Sequence, residues 1–527
     1  MSNPKTFPCA EVALRSASAG ATARMPRKTW VLVAAVLGST MAFVDESVVN
    51  VALPRIENDL HASLAAMQWV VNAYTLFMSA LLLTGGATAD RFGRRLIFLI
   101  GTAVFAVASI GCGLAPTIHV LLVARALQGA GAALLVPCSL ALIAAAYDDK
   151  ERGAAIGVWS GASAIAAGAA PLIGGWLVDH STWRSIFLIN PLIAVAALWI
   201  TIIRVPESRD PAAPRTLDWP GAILAFLGLA CLVYGLTASA DLGLGHLMVL
   251  GPILASAALF LAFLRTERIS AEPMMPLELF HSTRFSGVNL LTLLLYGALG
   301  GAFFFLPFLL IQADGFSATA AGAVYLPFTV ILGVLSRWAG RMGDRFGARW
   351  PLIVGPTLTA VGLAVLPVSA SYAAILTSMT VLGFGMAITV APLTTTVFDS
   401  VPASRTGIAS GINNAVASTG ALLLIALLGS VSSGMFDRSL ERQLTEARAS
   451  APVRDAVLLA RNGFVVPPLP KNLSDQERRV ARSIVVSSLT GTVRTAVWIA
   501  ALLALAGGVS AALTIRPKER EPSKESF

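Results

Sequence analysis

The sequence predicts an all-α integral membrane protein that crosses the bilayer fourteen times. Three observations carry that reading. Of 527 residues, 56% are apolar and only 13% charged, whereas soluble domains carry about a quarter charged residues. Apolar runs of about 20 residues, the length that spans a bilayer as a helix, recur from Trp30 to Ile515. Between them, basic residues gather in alternate short loops, the pattern that sets membrane orientation.

Segment 1 (30–53) follows a tail with Lys5, Arg15, Arg24, Arg27 and Lys28. Segments 2 (68–89) and 3 (96–115) flank Arg91, Arg94 and Arg95; segments 4 (119–146) and 5 (153–178) flank Lys150 and Arg152. Segment 6 (185–203) ends at Arg204. Segments 7 (219–238) and 8 (247–264) lie between Arg209 and Arg215 on one side and Arg265 and Arg268 on the other. Segment 9 (286–311) starts after Arg284, and segments 10 (319–341) and 11 (350–370) flank Arg345 and Arg349. Segments 12 (373–398) and 13 (407–433) flank Arg405, and segment 14 (491–514) precedes Arg516, Lys518, Arg520 and Lys524.

The remaining short loops hold only Arg55 and Arg184. Both termini are therefore expected on the cytoplasmic side of a cell (inner) membrane. The net charge of +9 sits in these loops, so nucleic-acid binding is not expected. Cys9, Cys112, Cys138 and Cys231 form no CxxC, and the five histidines show no HxxxH or HExxH spacing. No metal, cofactor or enzymatic constellation is expected. Segment 1 is longer than a signal h-region and contains two acids, so no cleavage is expected. Residues 1–24 read as disordered, and Met25 offers an alternative translation start.

Residues 434–490 are polar, with charges of both signs and Pro467, Pro468 and Pro470. They read as a solvated outer loop, the alternative being a docking site for a periplasmic adaptor. Ser474-Asp-Gln-Glu477 fits a capping box, predicting a short outer helix.

Asp45 and Glu46 stand side by side within segment 1. One carboxylate near the middle of a membrane helix costs about 3 kcal/mol on insertion scales. Two in succession persist only where neighbours, water or protons neutralise them, and a transporter uses each of those. Arg125 is the only base deep in segment 4, roughly 10 Å below Ile118 at 1.5 Å per residue. Asp45 lies roughly 13 Å below Pro54, so the two depths match. A static ion pair is one reading; the other is a proton or cation site, since one carboxylate is left over. Glu46 and Asn50 are i, i+4 neighbours on one face, with Asp45 about 100° round.

A repeat organises the chain. Gly86-Ala-Thr-Ala-Asp90-Arg91-Phe-Gly93-Arg94-Arg95 follows segment 2, and Gly340-Arg-Met-Gly-Asp344-Arg345-Phe-Gly347-Ala-Arg349 follows segment 10. Segments 1–6 and 9–14 thus read as two parallel six-helix halves, with 7 and 8 inserted. Parallel repeats build one large class of secondary transporters. The domain plan is a tail (1–29), an N-terminal bundle (30–203), a linker with two inserted helices (204–284), a C-terminal bundle (285–515) and a second tail (516–527).

At this repeat the sequence resembles the major facilitator superfamily, and its fourteen-segment plan resembles the second drug:proton antiporter family. Asp45-Glu-Ser-Val-Val-Asn50-Val-Ala-Leu-Pro54, Arg125-Ala-Leu-Gln128-Gly-Ala-Gly131 and Trp183-Arg-Ser-Ile-Phe-Leu-Ile-Asn190-Pro191 are similar to that family's patterns in segments 1, 4 and 6. The segment-5 antiporter pattern appears as Ala166-x-x-x-Ala170-Pro171-Leu-Ile-Gly174-Gly175, with alanine at two glycine positions. Small residues there still suit close packing.

The resemblance implies a major facilitator fold with a latch between halves formed by Gly86, Asp90, Arg91, Gly93 and Arg94 and their counterparts Asp344 and Arg345. Gly86 and Gly93 would permit close approach and a tight turn, and Asp90 would meet the positive N-terminus of a helix in the opposite half. It also aligns Asp45 with the family's acidic position. Asp45 with Arg125 is therefore expected to couple protons, and Glu46 to serve as a cavity carboxylate. Asn50, Tyr74, Gln128, Phe304 and Asn413 are further cavity candidates, with Phe77, Trp159, Phe303 and Phe305 as aromatic ones. Aromatic residues facing lipid or packed neighbours is the other reading. Arg337 is expected to snorkel to the cytoplasmic side.

The expected function is proton-coupled efflux of lipophilic, cationic small molecules by alternating access. Alternatives are export of an endogenous antibiotic, peptide or lipid, or a non-transporting membrane sensor.

Overall fold

Each apolar segment becomes helix, because backbone in hydrocarbon must satisfy its own hydrogen bonds. The structure is a computed structural model. It describes residues 8–209, 218–243, 245–270, 273–368, 371–402, 405–461, 463–464 and 473–515. Side chains are described from Lys28 onward except at 83, 149–150, 241, 336–337, 340, 342–346 and 368. The side chains of Arg337, Asp344 and Arg345, residues 1–7, the triple-proline stretch and the 516–527 tail lie outside the described residues.

The first bundle comprises α1 (Pro8–Leu60), α2 (Leu64–Phe92), α3 (Arg94–Gly113), α4 (Ile118–Ala146), α5 (Asp149–His180), α6 (Ser185–Leu188) and α7 (Asn190–Arg204). A hairpin of α8 (Trp219–Leu242) and α9 (Leu247–Ile269) follows. The second bundle holds α10 (Thr283–Pro307), α11 (Ala318–Ala323), α12 (Leu326–Phe346), α13 (Arg349–Val365), α14 (Tyr372–Asp399), α15 (Thr406–Glu446), α16 (Ala451–Leu458) and α17 (Asp475–Thr514).

Ser63, Thr117, Ser317 and Ser371 cap α2, α4, α11 and α14, their hydroxyls accepting backbone N–H groups that have no partner inside the helix. Three segments expected to be continuous are broken beside prolines. Segment 6 splits before Asn190-Pro191 and segment 10 before Leu326-Pro327. Segment 9 passes at Pro307 into a π-helical turn, Phe308–Ala313. Proline lacks the N–H that would continue the ladder.

Thirteen described helical stretches are long and apolar enough to cross a membrane, and Arg349–Val365 is shorter. α13 nevertheless crosses. α12 ends at Phe346 on the face of the termini, whereas α14 starts at Tyr372 on the opposite face, its hydroxyl donating to the Ala320 carbonyl at 3.0 Å. A 3₁₀ turn, Leu366–Val368, completes that span.

Two expectations are corrected. Residues expected to be disordered are helical from Pro8, in a segment with alanine at 10, 13, 17, 19, 21 and 23, the residue with the highest helix propensity. The stretch 434–490 is not mainly loop: α15 continues to Glu446, and the Ser474–Glu477 capping box starts α17, which runs unbroken into the last crossing. Phe436, Leu440, Leu444, Ile484, Val485 and Leu489 are buried along this antiparallel pair, which gives the polar extension its own apolar seam.

The α8–α9 hairpin packs beside α2 and α15. Leu76, Val233, Leu422 and Ala426 form a buried cluster there, and the Ser239 and Ser430 hydroxyls are bonded to each other. The two bundles meet along two seams, α2 with α15 and α5 with α11 and α12. Three hydrogen-bonded contacts between the bundles lie toward the face opposite the termini. Gln68 donates to Ile425 O at 2.6 Å, Asp179 accepts from Ala318 and Thr319, and Glu57 accepts from Phe464 N.

Candidate functional site

Asp45 is fully buried inside the first bundle. One carboxylate oxygen pairs with Arg125 Nη1. The other accepts from Gln128 Nε2 at 2.7 Å and from Asn190 Nδ2 at 2.9 Å. Arg125, 1% exposed, donates from Nε to the Val70 carbonyl at 3.0 Å and from Nη1 to Gln128 Oε1 at 2.8 Å. Its guanidinium lies 4.4 Å from the centre of the Tyr74 ring and 5.8 Å from that of Phe187, a cation–π arrangement that favours the charge in a dry site. Ser109 completes the network, accepting from Gln128 and Asn190 and donating to the Phe187 carbonyl at 2.8 Å.

Five helices therefore converge on one carboxylate. α1 supplies it, α4 supplies Arg125 and Gln128 one turn apart, α7 supplies Asn190 at its first residue, α3 supplies Ser109, and α2 supplies a carbonyl and an aromatic face. Buried charges persist when paired and hydrogen-bonded, and here the partners come from the whole bundle. Asn190 and Ser109 were missed as site residues. Asn190 had a readable signal, an amide just before the proline that opens an apolar run; Ser109 had none.

Glu46 is placed differently. It is half-buried and makes no hydrogen bond or ion pair among the described residues. It shares a face of α1 with Asn50, whose buried Oδ1 has no hydrogen-bond partner. Three turns further along that face Glu57 touches the second bundle, so this face of α1 looks across to the other half. Trp159 of α5 donates to Ser39 Oγ at 3.0 Å on the same face.

Four cavity candidates lie instead in bundle interiors. Tyr74 is 1% exposed, its hydroxyl donating to the Ala42 carbonyl at 3.2 Å. Gln128 belongs to the Asp45 cage. Phe304 is fully buried, its ring centre 5.0 Å from that of Phe305 and 5.7 Å from that of Phe308. Asn413 donates to Asn289 at 3.1 Å and Thr292 at 2.8 Å within the second bundle. Among the aromatic candidates, Phe77 packs on Phe226 of the hairpin and Phe303 on Tyr325 and Phe328. A buried polar or aromatic side chain satisfies its own bundle first, which spacing alone does not reveal.

The repeat motif is also rearranged relative to expectation. Asp90 Oδ1 accepts from Arg94 Nε at 2.8 Å, within its own motif, and among the described residues it makes no hydrogen bond or ion pair to the opposite bundle. Gly93 ends α2 at φ +121°, a region that side chains avoid, and its equivalent Gly347 has φ +79°. Gly86 is not the close-approach glycine: a Cβ there would make only an ordinary contact with Pro137, whereas one at Gly85 would collide with the Ala133 carbonyl. Glu207, beyond α7, accepts from the N–H groups of Arg95 (3.0 Å) and Leu96 (3.2 Å) and so caps α3. Arg95 donates to the Thr201 and Ile202 carbonyls at the end of α7.

The carboxylate-to-helix contact expected of Asp90 is made on the opposite face by Asp179 of α5. It accepts from Ala318 N at 3.1 Å and Thr319 N at 2.8 Å, the first residues of α11. The segment-5 motif lies directly beneath. A Cβ at Gly174 would strike Val48 of α1, one at Gly175 would strike the Ala318 carbonyl, and the Pro171 carbonyl abuts Gly322. Ala170 is fully buried in this contact.

Comparison with known proteins follows the same outline. The family model described as Major Facilitator Superfamily matches residues 35–425. The chain is 32% identical over 506 residues to the tetracenomycin C resistance and export protein of Streptomyces glaucescens, covering 94% of this chain and 93% of that one. It is 35% identical over 430 residues to the multidrug resistance protein Stp of Mycobacterium tuberculosis, covering 81% and 80%. In fold it is similar to an inward-facing, occupied crystal structure of a bacterial homologue of the human lysosomal transporter Spinster (TM-score 0.63, 19% identity, 93% of this chain and 97% of that one).

Proposed function

The chain belongs to the Major Facilitator Superfamily, and on that premise we propose that it exports lipophilic, cationic drugs or toxic compounds in exchange for protons. The relatives' names concern drug resistance and export, which supports efflux as the direction. The observation that carries the reading is the division of labour between adjacent acids. Asp45 is enclosed in a cage of three hydrogen-bonding partners, while Glu46 is left without one on the face of α1 that looks toward the other bundle.

In this reading the face of the termini is cytoplasmic, in line with its basic loops. A cation entering between the bundles meets Glu46 and Asn50, where Coulomb attraction is strong because water is scarce. A proton reaching Asp45 removes the charge that holds Arg125, loosening α1 from α4. Rocking of the bundles about the α2–α15 and α5–α11 seams then exposes the site to the other side. The Asp90–Arg94 pair would exchange partners when the cytoplasmic ends close, which is how the motif would act as a latch.

Energised inside-out vesicles, given a panel of fluorescent cations and matched neutral dyes, test the proposal. Accumulation of the cations that collapses with a protonophore is expected. Accumulation insensitive to the protonophore would refute coupling. A second reading, export of an antibiotic the cell itself makes, is favoured by the relative named for tetracenomycin C.

A further inference from the structure

Glu57 is a buried carboxylate that the Asp45 site does not use. It is 3% exposed and lies near the far end of α1, eleven residues beyond Glu46 on the same helix face. Its Oε1 accepts the backbone N–H of Phe464 at 2.9 Å, across the boundary between the bundles. Its Oε2 is buried without a hydrogen-bond partner. Glycine at 463 leaves room for this approach, since a Cβ there would press on Glu57 Oε1 and displace the carboxylate. Phe464 is 1% exposed and fills a box of Phe305, Phe308 and Phe436, with ring centres 5.8, 6.3 and 5.1 Å away. Phe305 and Phe308 flank Pro307, where α10 passes into its π turn, a feature that recurs at functional sites in helices.

We propose that Glu57 is a gating residue: its bond to Phe464 clasps the first bundle to the aromatic plug of the second, and must break for the far face to open. This rests on reading the chain as an alternating-access transporter. The chemistry suits a reversible clasp. A single hydrogen bond to a backbone N–H holds it, and the orphan oxygen subtracts from its strength, since a buried acceptor without a donor is costly. The same oxygen regains water once the seam parts, so opening is not penalised twice. Because Glu46 and Glu57 share one face of one continuous helix, a shift of α1 at the central site is transmitted to the clasp three turns away.

The test reads conformation and not transport. Val51 is 1% exposed on the far-face side of α1, and Val51→Cys is labelled with a membrane-impermeant maleimide applied from that face. Adding Glu57→Ala should speed labelling about fivefold, the shift that follows from removing one net hydrogen bond from one of two states. Glu57→Gln, whose amide oxygen can accept the same N–H, should label like the parent. Labelling at the parental rate in Glu57→Ala overturns the proposal, as does equal acceleration in both variants. Should Glu57→Ala not fold, Glu57→Cys with Gly463→Cys decides it. Oxidation should abolish labelling of a cysteine at Val51 in the same chain and reduction restore it; undiminished labelling after oxidation also overturns the clasp. A protein that gates in this way yet moves no drug would refute the transport reading and leave the clasp standing.

Discussion

Gln128 touches both charges of the buried pair: its Oε1 accepts from Arg125 Nη1 at 2.8 Å while its amide nitrogen donates 2.7 Å to Asp45 Oδ1. One neutral side chain therefore holds acid and base in register, and Asn190 covers the same carboxylate oxygen from α7. The pair is a wired junction of five helices, so a change in its charge is felt throughout the bundle.

Asp45→Asn should abolish proton-driven efflux. Its side-chain oxygen can still accept from Gln128 and Asn190, but Arg125 is left buried without a counter-charge, at a cost of about 3–5 kcal/mol. Combining it with Arg125→Met removes both charges and should restore most of the stability without restoring transport. Thermal unfolding and uptake under an imposed pH gradient measure the two effects. Parental transport rates in either variant would sink the coupling role.

The glycines of the α2–α3 corner should separate sharply. Gly93→Ala meets both a positive φ and the Glu207 carboxylate, and should cost at least about 1 kcal/mol. Gly85→Ala drives a methyl into the Ala133 carbonyl and should also destabilise, whereas Gly86→Ala should be near neutral. Melting temperatures of the three purified variants check this ordering, and a destabilised Gly86→Ala beside a tolerant Gly85→Ala would contradict it.

Asp90→Asn should slow transport while leaving equilibrium substrate binding unchanged, because Asp90 pairs with Arg94 at the membrane edge and stands apart from the Glu46 face. Single cysteines on each face, labelled in variant and parent, report the balance of conformers. An unchanged balance would count against a latch.

Glu46→Gln should weaken lipophilic cations far more than neutral compounds of similar size. The carboxylate ionises as pH rises, so the parent's cation affinity should climb with pH while the variant's stays flat, and the gap between them should widen. Fluorescence titration of a matched cation and neutral ligand across pH decides it. Equal loss for both ligands would make Glu46 a structural residue.

Much of this was legible in the sequence for one reason: a bilayer imposes length and apolarity on every crossing, and basic residues on alternate loops. The fourteen segments, the repeated Gly–Asp–Arg motif and the matched depths of Asp45 and Arg125 all follow from one-dimensional spacing. Helix ends were legible where a cap spelled them out, as at Ser474–Glu477. They were not where breaks fell at Pro191, Pro307 and Pro327 within runs whose apolarity never changes.

Partner choice was decided by tertiary structure alone. Spacing puts Asp45 and Glu46 100° apart on α1, but only the packing of α2, α3, α4 and α7 encloses the first and leaves the second open. Tyr74, Gln128 and Asn413 look alike in sequence to cavity residues, yet each is drawn into its own bundle because a polar group in a dry interior must find a partner there. The clasp of Glu57 on Phe464 joins residues 407 positions apart. Its existence depends on how two bundles lean together, a relation between surfaces that no local pattern of residues encodes.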